Sequence, residues 1–207
     1  GGLVAAAFAA KYPQRVLYLV LADVAQGYGQ AEAAQREKVW QGRQQQMALG
    51  GEAIANTADI TDFDATRELV KQAVDAFGDL HAVVNNAGFV RDRMFVSCSP
   101  EEWDAVTRVH LRGHFCTSRH AVDHWRAQQK AGKKVNARII NTSSGAGLQG
   151  SVGQSAYSAA KGGIAALTLV QAAELGRYGI TANALAPNAR TRMTEVAFGD
   201  TMNKKDG

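Results

Sequence analysis

The chain has 207 residues, of which 46% are hydrophobic and 20% are charged. This length and balance favour one globular domain over a disordered chain, and no apolar run is long enough to span a bilayer. The 23 Lys and Arg residues and 19 Asp and Glu residues leave a formal net charge of +4, which does not by itself indicate a nucleic-acid partner.

Two cysteines, Cys98 and Cys116, match neither a disulfide framework nor a metal-ligand pattern. We therefore predict two reduced thiols, no metal site and an intracellular location. Residues 1–10 are apolar, but no basic segment precedes them as in an export signal, and there is no initiator Met. The start of the chain therefore resembles the interior of a longer sequence.

The first elements alternate between helical and extended character. Residues 2–11 are Ala-rich and helical, and residues 15–23 form an apolar run that ends in an acid, as a buried strand does. Residues 24–51 are polar and Gln-rich and predict a loop and a helix. Residues 53–58 predict a short strand.

A helix begins at Asp62 and runs to about Phe77, because apolar residues recur there at helical spacing, and Gly78 ends it. Residues 80–84 predict the next strand. A long helix then starts at Pro100, with Ser99 as its cap. Its predicted apolar face consists of Trp103, Val106, Val109, Phe115 and Val122.

The last elements continue the alternation. Residues 138–141 predict a strand, residues 155–177 a helix and residues 180–185 a final strand. Strict alternation of strand and helix predicts a doubly wound, Rossmann-like α/β fold, with a parallel sheet covered by helices on both faces, in a single domain over residues 1–207. Ligands of such sheets bind at the carboxyl ends of the strands.

One group of polar residues suits acid/base chemistry. Tyr157 and Lys161 are four residues apart on a predicted helix and so share one face. A nearby ammonium favours the phenolate and lowers the tyrosine pKa, which makes Tyr157 a general acid/base. Ser144 follows a strand and lies thirteen residues before Tyr157. The Tyr/Lys pair alone also suits an interfacial tyrosine beside a surface lysine, but Ser144 and its strand favour a catalytic group.

Two further patterns suit a dinucleotide. Asn85-Asn86-Ala87-Gly88 follows a buried strand directly, and its small residues let a flat ligand approach the backbone. Asp23 ends a strand 22 residues after Gly1, where a carboxylate binds the adenosine ribose hydroxyls of NAD. The alternative for the first pattern is an Asn-rich turn. The alternative for Asp23 is a helix or turn cap.

Over nearly its whole length the chain resembles the short-chain dehydrogenase/reductase family. Within it, the chain most resembles the hydroxyacyl-CoA dehydrogenase domain of peroxisomal multifunctional enzymes. The residues that carry the resemblance are Asp59-Ile60, Phe77-Gly78, residues 83–88, Arg91-Asp92-Arg93, residues 109–113, Ser144, residues 157–161, residues 186–189 and Arg192-Met193-Thr194.

The resemblance implies catalytic roles for Ser144, Tyr157, Lys161 and His110. Under this resemblance, Tyr157 exchanges a proton with the substrate, Ser144 holds the substrate oxygen, and Lys161 binds the nicotinamide ribose. His110 stands where most of the family has Asn. The resemblance implies that His110 takes part in a relay of bound water that passes protons from Lys161 to solvent. The alternative is a helix histidine whose ring is hydrogen-bonded to backbone. The implied cofactor-binding residues are Gly1, Asp23, Asp59, Ile60, Asn86, Ala87, Gly88, Tyr157, Lys161, Pro187 and Thr191.

The chain departs from the family at both ends. Gly1 matches only the last glycine of the pyrophosphate loop, whose amides hold the cofactor at a helix N-terminus. The family also continues past Gly207. We therefore expect a fragment that lacks the central first strand and leaves the strands at 15–23 and 80–84 with unpaired edges.

The predicted activity is hydride transfer between NAD and a secondary alcohol, which the resemblance makes a 3-hydroxyacyl-CoA. NADP is disfavoured because Asp23 would repel a 2′-phosphate. The alternatives are a 3-oxoacyl-carrier-protein reductase using NADPH and a nucleotide-binding protein without turnover. Arg190 and Arg192 could pair with CoA or cofactor phosphates. The resemblance further implies a homodimer or homotetramer, located in the cytoplasm or the peroxisome, with no membrane or nucleic-acid partner.

Overall fold

The computed structural model describes residues 54 and 56–187, together with the backbone of residues 20–22. Within that part, four strands form one parallel sheet in the order β1-β2-β3-β4. The strands are β1 (Val20–Ala22), β2 (Ala82–Asn85), β3 (Ala137–Thr142) and β4 (Ile180–Leu185). The predicted α/β class with a parallel sheet is confirmed.

Five α-helices are described between and after these strands. They are α1 (Phe63–Phe77), α2 (Pro100–Thr107), α3 (Gly113–Lys130), α4 (Gly145–Gln149) and α5 (Ser155–Leu175). Short 3₁₀ turns occupy Phe95–Ser97 and Gly176–Tyr178. The helix α4 was not predicted. The predicted helices at 2–11 and within 24–51, and most of the strand at 15–23, lie outside the described residues.

The ends of α1 follow from local chemistry, as predicted. The Asp62 carboxylate accepts hydrogen bonds from the N–H groups of Asp64 and Ala65, both at 2.9 Å, and so satisfies donors that the first helical turn leaves free. Gly78 ends the helix in the left-handed conformation with φ of +81°, which a residue without a side chain adopts without strain.

The predicted cap of α2 is also confirmed. Ser99 Oγ accepts a hydrogen bond from the Glu102 N–H at 3.2 Å, and the Glu102 carboxylate accepts one from the Ser99 N–H at 3.4 Å. This reciprocal pair is a capping box, with Pro100 in the first helical position.

The long helix predicted from Pro100 is interrupted by a π-helical turn at Arg108–Arg112. A π-turn contains an extra residue, so the side chains after it are rotated relative to those before it. Val106 and Val122 are buried, but Trp103 is 38% and Phe115 45% exposed. The prediction of one continuous apolar face was therefore wrong at those two aromatic residues.

The predicted strand at 53–58 was also wrong where the structure describes it. Residues 54 and 56–58 have no regular structure. The Asn56 side chain bends the backbone by accepting a hydrogen bond from the Ala58 N–H at 2.8 Å, and its amide donates to Gln72 Oε1 at 2.5 Å. Such local side-chain bonds compete with a strand ladder.

The expected unpaired edges are not seen for β2. In the register of the sheet Val20 pairs with Val83 and Ala22 with Asn85, so β1 lies directly beside β2. On its other side β2 pairs with β3, Asn85 standing opposite Asn141. The described part of β2 is therefore hydrogen-bonded along both edges.

The apolar core lies between the sheet and the helices α1, α3 and α5. Burial alternates along β3 and β4, and the buried side chains of these strands face the helices. Trp125 of α3 is at the centre of the core, and its indole N–H donates to the Leu80 carbonyl at 2.6 Å. The core residues are Val70, Leu80, Val83, Ala121, Val122, Trp125, Ala137, Ile139, Leu175, Ile180 and Ala182.

A buried polar network joins this core to the ends of the strands. The Asn85 amide donates to Ser118 Oγ at 2.8 Å and to Asn141 Oδ1 at 2.9 Å. The Asn141 amide donates in turn to Thr168 Oγ1 at 2.9 Å and to Gln171 Oε1 at 2.8 Å. The network therefore ties β2 and β3 to α3 and α5.

The contact between α4 and α5 requires a glycine, and it yields a test of the fold. A Cβ added at Gly147 would lie 2.5 Å from the Lys161 carbonyl carbon, whereas one added at Gly145 would meet no atom within 4 Å. We expect Gly147→Ala to destabilise the protein by about 1–3 kcal/mol through overpacking against backbone. Gly145→Ala, in the same helix, is the control and should be close to neutral. Thermal melts of both variants check this, and equal melting temperatures would contradict it.

Candidate active site

The structure brings Ser144, Tyr157 and Lys161 together beyond the carboxyl end of β3. Ser144 precedes α4, and its Oγ caps that helix by accepting a hydrogen bond from the Ala146 N–H at 3.2 Å. Tyr157 and Lys161 lie on the first two turns of α5. The Ser144 hydroxyl is near enough to the Tyr157 hydroxyl to lower its pKa, and Lys161 Nζ lies 5.6 Å from the centre of the Tyr157 ring.

Lys161 is only 3% exposed. Its ammonium donates a hydrogen bond to the Thr142 carbonyl at 2.5 Å, and its own carbonyl accepts one from Ser143 Oγ at 2.8 Å. Burial disfavours the charged amine and lowers the pKa of Lys161 to about 8. The amine can therefore exchange a proton near neutral pH.

The expected lowering of the Tyr157 pKa by Lys161 is not found. Burial raises the pKa of Tyr157, the nearby Ser144 hydroxyl lowers it, and the charge of Asp92 raises it further. The Lys161 ammonium donates a hydrogen bond to the Thr142 carbonyl. The balance leaves the pKa of Tyr157 above its usual value.

His110 lies in the π-helical turn, between Tyr157 and the loop after β2. Its ring meets the Tyr157 ring edge-on, with centroids 5.2 Å apart. Its Nε2 is 2.7 Å from the Phe89 carbonyl and 3.1 Å from the Phe89 N–H. Burial first, and the charge of Lys161 second, lower the pKa of His110 to about 4. The neutral His110 ring therefore contacts both the loop after β2 and the Tyr157 ring. A role of His110 in a proton relay stays a prediction.

The loop residues Asn86, Ala87 and Gly88 follow β2 directly. Asn86 Oδ1 accepts a hydrogen bond from Thr142 Oγ1 at 3.2 Å, which links the ends of β2 and β3. A Cβ added at Gly88 would lie 2.0 Å from His110 Cε1. Glycine is therefore required at position 88 so that the His110 ring can lie against the loop. This requirement is separate from the predicted close approach of a ligand to the backbone.

The predicted adenine residues lie on the other side of this loop. Ile60 is buried and clusters with Ala87 and Val109, and it leaves room for only a glycine at position 113, where a Cβ would lie 2.5 Å from Ile60 Cδ1. Asp59 is exposed and accepts a hydrogen bond from the Thr61 N–H at 2.8 Å. Two of the predicted cofactor residues, Ile60 and Ala87, thus pack against each other.

The remaining predicted residues lie at the edge of the residues that the structure describes, or outside them. Pro187 is exposed, two residues after β4. Gly1, Asp23 and Thr191 lie outside the described residues, and so do Arg190 and Arg192.

His114 is a residue that the sequence reasoning missed. It is 1% exposed, and both of its ring nitrogens are buried. Burial first, then the charges of Lys161 and His110, lower the pKa of His114 to about 3. Its spacing of one helical turn from His110 was the available signal.

The donor set of this region fits a nucleotide sugar and a substrate oxygen. A buried ammonium and two hydroxyl groups, from Lys161, Ser144 and Tyr157, lie beside a small-residue loop at the carboxyl edge of a parallel sheet. That edge is where such sheets bind dinucleotides. Among the described residues, no three His, Cys, Asp or Glu side chains are grouped to hold a metal ion. A search of the same residues finds no helix of the length and apolarity that a membrane span requires.

Comparison with known proteins agrees with this geometry. A family model described as short chain dehydrogenase matches residues 22–201. The chain is 53% identical over 152 residues to a hydroxyacyl-CoA dehydrogenase of Mycobacterium tuberculosis, covering 72% of this chain and 48% of that protein. It is 39% identical over 201 residues to the peroxisomal multifunctional enzyme type 2 of Mus musculus, covering 96% of this chain and 26% of that protein.

A solved structure is similar as well. The crystal structure of a short chain dehydrogenase from Mycobacterium avium matches with a TM-score of 0.72 and 61% sequence identity, covering 74% of this chain and 53% of that one. The chain thus spans about half or less of the length of these relatives.

The buried histidines predict how stability depends on pH. Unfolded histidine binds a proton near pH 6.5, but folded His114 does so only near pH 3 and His110 near pH 4. Between pH 6.5 and these lower values, the unfolded chain binds more protons than the folded chain. Free energy of unfolding that is present above pH 6.5 is therefore lost as the pH falls. We expect His114→Leu to reduce the slope of the free energy of unfolding against pH, by at most about 1.4 kcal/mol per pH unit.

Denaturant unfolding at several pH values measures this effect. Thr117→Val is the control, because Thr117 is a buried polar side chain of the same helix that carries no titratable group. A His114→Leu variant with the wild-type acid slope would show that this histidine does not remain neutral in the fold.

Proposed function

The chain belongs to the short-chain dehydrogenase family, and we propose that it is an oxidoreductase that transfers a hydride between a nicotinamide cofactor and the carbon of a secondary alcohol or ketone. The observation that carries this proposal is the convergence of Ser144, Tyr157 and Lys161 at the carboxyl edge of the parallel sheet. A nucleotide-binding protein without turnover would not need a tyrosine and a serine grouped beside a buried lysine.

In the oxidation direction the bound nicotinamide supplies the hydride acceptor. Tyr157, in its phenolate form, takes the proton of the substrate hydroxyl as the carbon loses its hydride, so that the alcohol becomes a ketone and Tyr157 a neutral phenol. Ser144 holds the substrate oxygen by a hydrogen bond and stabilises its developing charge. Reduction reverses these steps, with Tyr157 donating its proton to the carbonyl oxygen.

Lys161 and the loop after β2 orient the cofactor in this proposal. The Lys161 ammonium, held by the Thr142 carbonyl, would donate to the ribose hydroxyls beside the nicotinamide. Asn86, Ala87 and Gly88 would line the cofactor site, Ile60 and Asp59 would lie at the adenine, and Pro187 and Thr191 remain predicted cofactor residues. His110 would pass protons between Lys161 and solvent through bound water.

We further propose a 3-hydroxyacyl-CoA as the substrate. The support is the similarity to the Mycobacterium tuberculosis protein, which is named a hydroxyacyl-CoA dehydrogenase, and to a peroxisomal multifunctional enzyme. A location in the cytoplasm or the peroxisome is consistent with those relatives. A homodimer or homotetramer is supported by the exposed apolar side chains of α3 and α5, including Phe115, Leu169 and Val170.

Tyr157→Phe tests the catalytic role. Loss of one hydroxyl should leave the fold and cofactor binding almost unchanged but lower turnover by roughly 10²-fold or more, because a positioned proton donor is lost. The assay is nicotinamide absorbance with 3-hydroxybutyryl-CoA, on the protein as its gene encodes it. Tyr178→Phe is the control, since Tyr178 lies between Arg126 and Arg177 at the far end of α5. Wild-type turnover in Tyr157→Phe would overturn the assignment.

Asp23 tests the cofactor. A carboxylate at this position accepts the ribose hydroxyls of NAD and repels the 2′-phosphate of NADP. We expect the wild-type protein to prefer NAD, and Asp23→Ser to narrow the ratio of kcat/KM for NAD over NADP. A wild-type preference for NADP would instead favour a 3-oxoacyl-carrier-protein reductase that works with NADPH.

A further inference from the structure

The first turn of α5, which carries Tyr157, is fastened to the loop after β2. The Arg93 N–H donates to the Gly153 carbonyl at 2.7 Å, and residues 93 and 154 form an isolated parallel bridge. Beside this bridge the Gln154 side-chain amide donates to Asp92 Oδ1 at 3.1 Å. A backbone contact and a side-chain contact thus join the same two segments.

Gln154 is the residue directly before α5 and lies three positions before Tyr157. Its carbonyl accepts a helical hydrogen bond from the Ser158 N–H at 2.7 Å, while its side chain does not cap the helix. Gln154 is buried although Asp92 is exposed. Because a buried amide that loses its acceptor is costly, the bond to Asp92 favours one position of Gln154.

The same loop also contacts Tyr157 through His110. The Phe89 carbonyl lies 2.7 Å from His110 Nε2, and the His110 ring meets the Tyr157 ring edge-on, with centroids 5.2 Å apart. The loop is anchored in turn to α2, where the Arg93 guanidinium pairs with Glu102 at 3.2 Å. One anchored segment therefore supports the helix turn of Tyr157 at Gln154 and its ring at His110.

We propose that Gln154 is a positioning residue, whose hydrogen bond to Asp92 holds the first turn of α5 against the loop after β2 and so fixes the Tyr157 hydroxyl relative to the nicotinamide. This inference rests on the hydride transfer proposed above. There the alcohol carbon gives its hydride to the nicotinamide and the hydroxyl gives its proton to Tyr157, so both acceptors must be aligned with one substrate. The hydrogen bond carries this effect, and the charge of Asp92 is not required for it.

Substitutions at the two positions test the bond itself. Gln154→Ala removes the donor and Asp92→Ala removes the acceptor. Each should lower kcat roughly 10-fold or more, with KM changed less than about twofold, because misplacing a reacting group slows the chemical step. Asp92→Asn keeps an oxygen that accepts from Gln154, so its kcat should stay near that of the wild type.

An exchange of donor and acceptor provides the rescue. Gln154→Glu alone removes the donor and should lower kcat as Gln154→Ala does. Combined with Asp92→Asn it restores a hydrogen-bonded pair of reversed direction, so the double variant should recover most of the lost kcat. The assay follows oxidation of 3-hydroxybutyryl-CoA by NAD, on the protein as its gene encodes it.

Gln128→Ala is the matched control. Gln128 also donates its side-chain amide to an aspartate, Asp79 Oδ1, at 2.6 Å. This pair joins α3 to the residues before β2, whereas Tyr157 lies at the opposite, carboxyl edge of the sheet. Gln128→Ala should lose a comparable hydrogen bond and keep the wild-type kcat, so it separates a general loss of stability from misplacement of Tyr157.

A second readout does not need turnover. Amide hydrogen exchange in a peptide covering residues 152–160 reports opening of the first turn of α5. This exchange should be faster in Gln154→Ala than in wild type, unchanged in Asp92→Asn and Gln128→Ala, and slowed again in the double variant.

Wild-type kcat and wild-type exchange in Gln154→Ala would overturn the role of Gln154, and so would an equal loss of kcat in Gln128→Ala. A wild-type protein without turnover, with faster exchange in Gln154→Ala, would overturn the proposed function and leave the support of the Tyr157 turn by Gln154 standing. If Gln154→Ala does not fold, Asp92→Ala, on the exposed side of the pair, decides in its place by the same two measurements.

Discussion

The amide pair of Asn85 and Asn141 fixes the frame on which the site depends. These residues stand opposite each other in the register of β2 and β3, and their side chains are joined by a hydrogen bond of 2.9 Å. Each also bonds to a helix, Asn85 to Ser118 of α3 and Asn141 to Thr168 of α5. Because an unsatisfied amide in the core is costly, this fully bonded arrangement favours a single register. It brings the strand ends level, with Asn86 beside Thr142 and Ser144 close beyond.

Desolvation determines the charge state of the region above that frame. Lys161, His110 and His114 are all buried, and bringing several basic groups together in the core disfavours more than one positive charge. Both histidines respond to the charge of Lys161 and remain neutral above about pH 4. Lys161 itself titrates at about 8. Of these three buried groups, Lys161 is thus the one that carries a charge near neutral pH.

Close backbone contacts place these groups. Gly88 lets the His110 ring lie against the loop after β2, Gly113 admits Ile60, and Gly147 admits the backbone of α5 at Lys161. In each case a Cβ would lie at 2.5 Å or less from a neighbouring atom. Such a site is sensitive to small changes in volume, because tightly packed neighbours relax only in part. The small residues around the motifs therefore have packing roles in addition to any role in ligand approach.

The sequence by itself determined the features that depend on near neighbours in the chain. The caps at Asp62, Gly78 and Ser99 follow from side chains that bond within one helical turn, and the last strand follows from its apolar pattern. The grouping of Ser144, Tyr157 and Lys161 was also predictable, because the carboxyl ends of parallel strands share one edge of the sheet.

Only the tertiary structure decided what depends on distant residues. The π-turn that carries His110, the buried ring of His114 and the raised pKa of Tyr157 all depend on burial and on groups far apart in sequence. The pairing of Asp92 with Gln154 crosses 62 positions. Spacing placed Lys161 beside Tyr157, but the hydrogen bond of its ammonium to the Thr142 carbonyl was not readable from the spacing. Local pattern thus identified the reacting groups, while desolvation and long-range hydrogen bonds set their charge and direction.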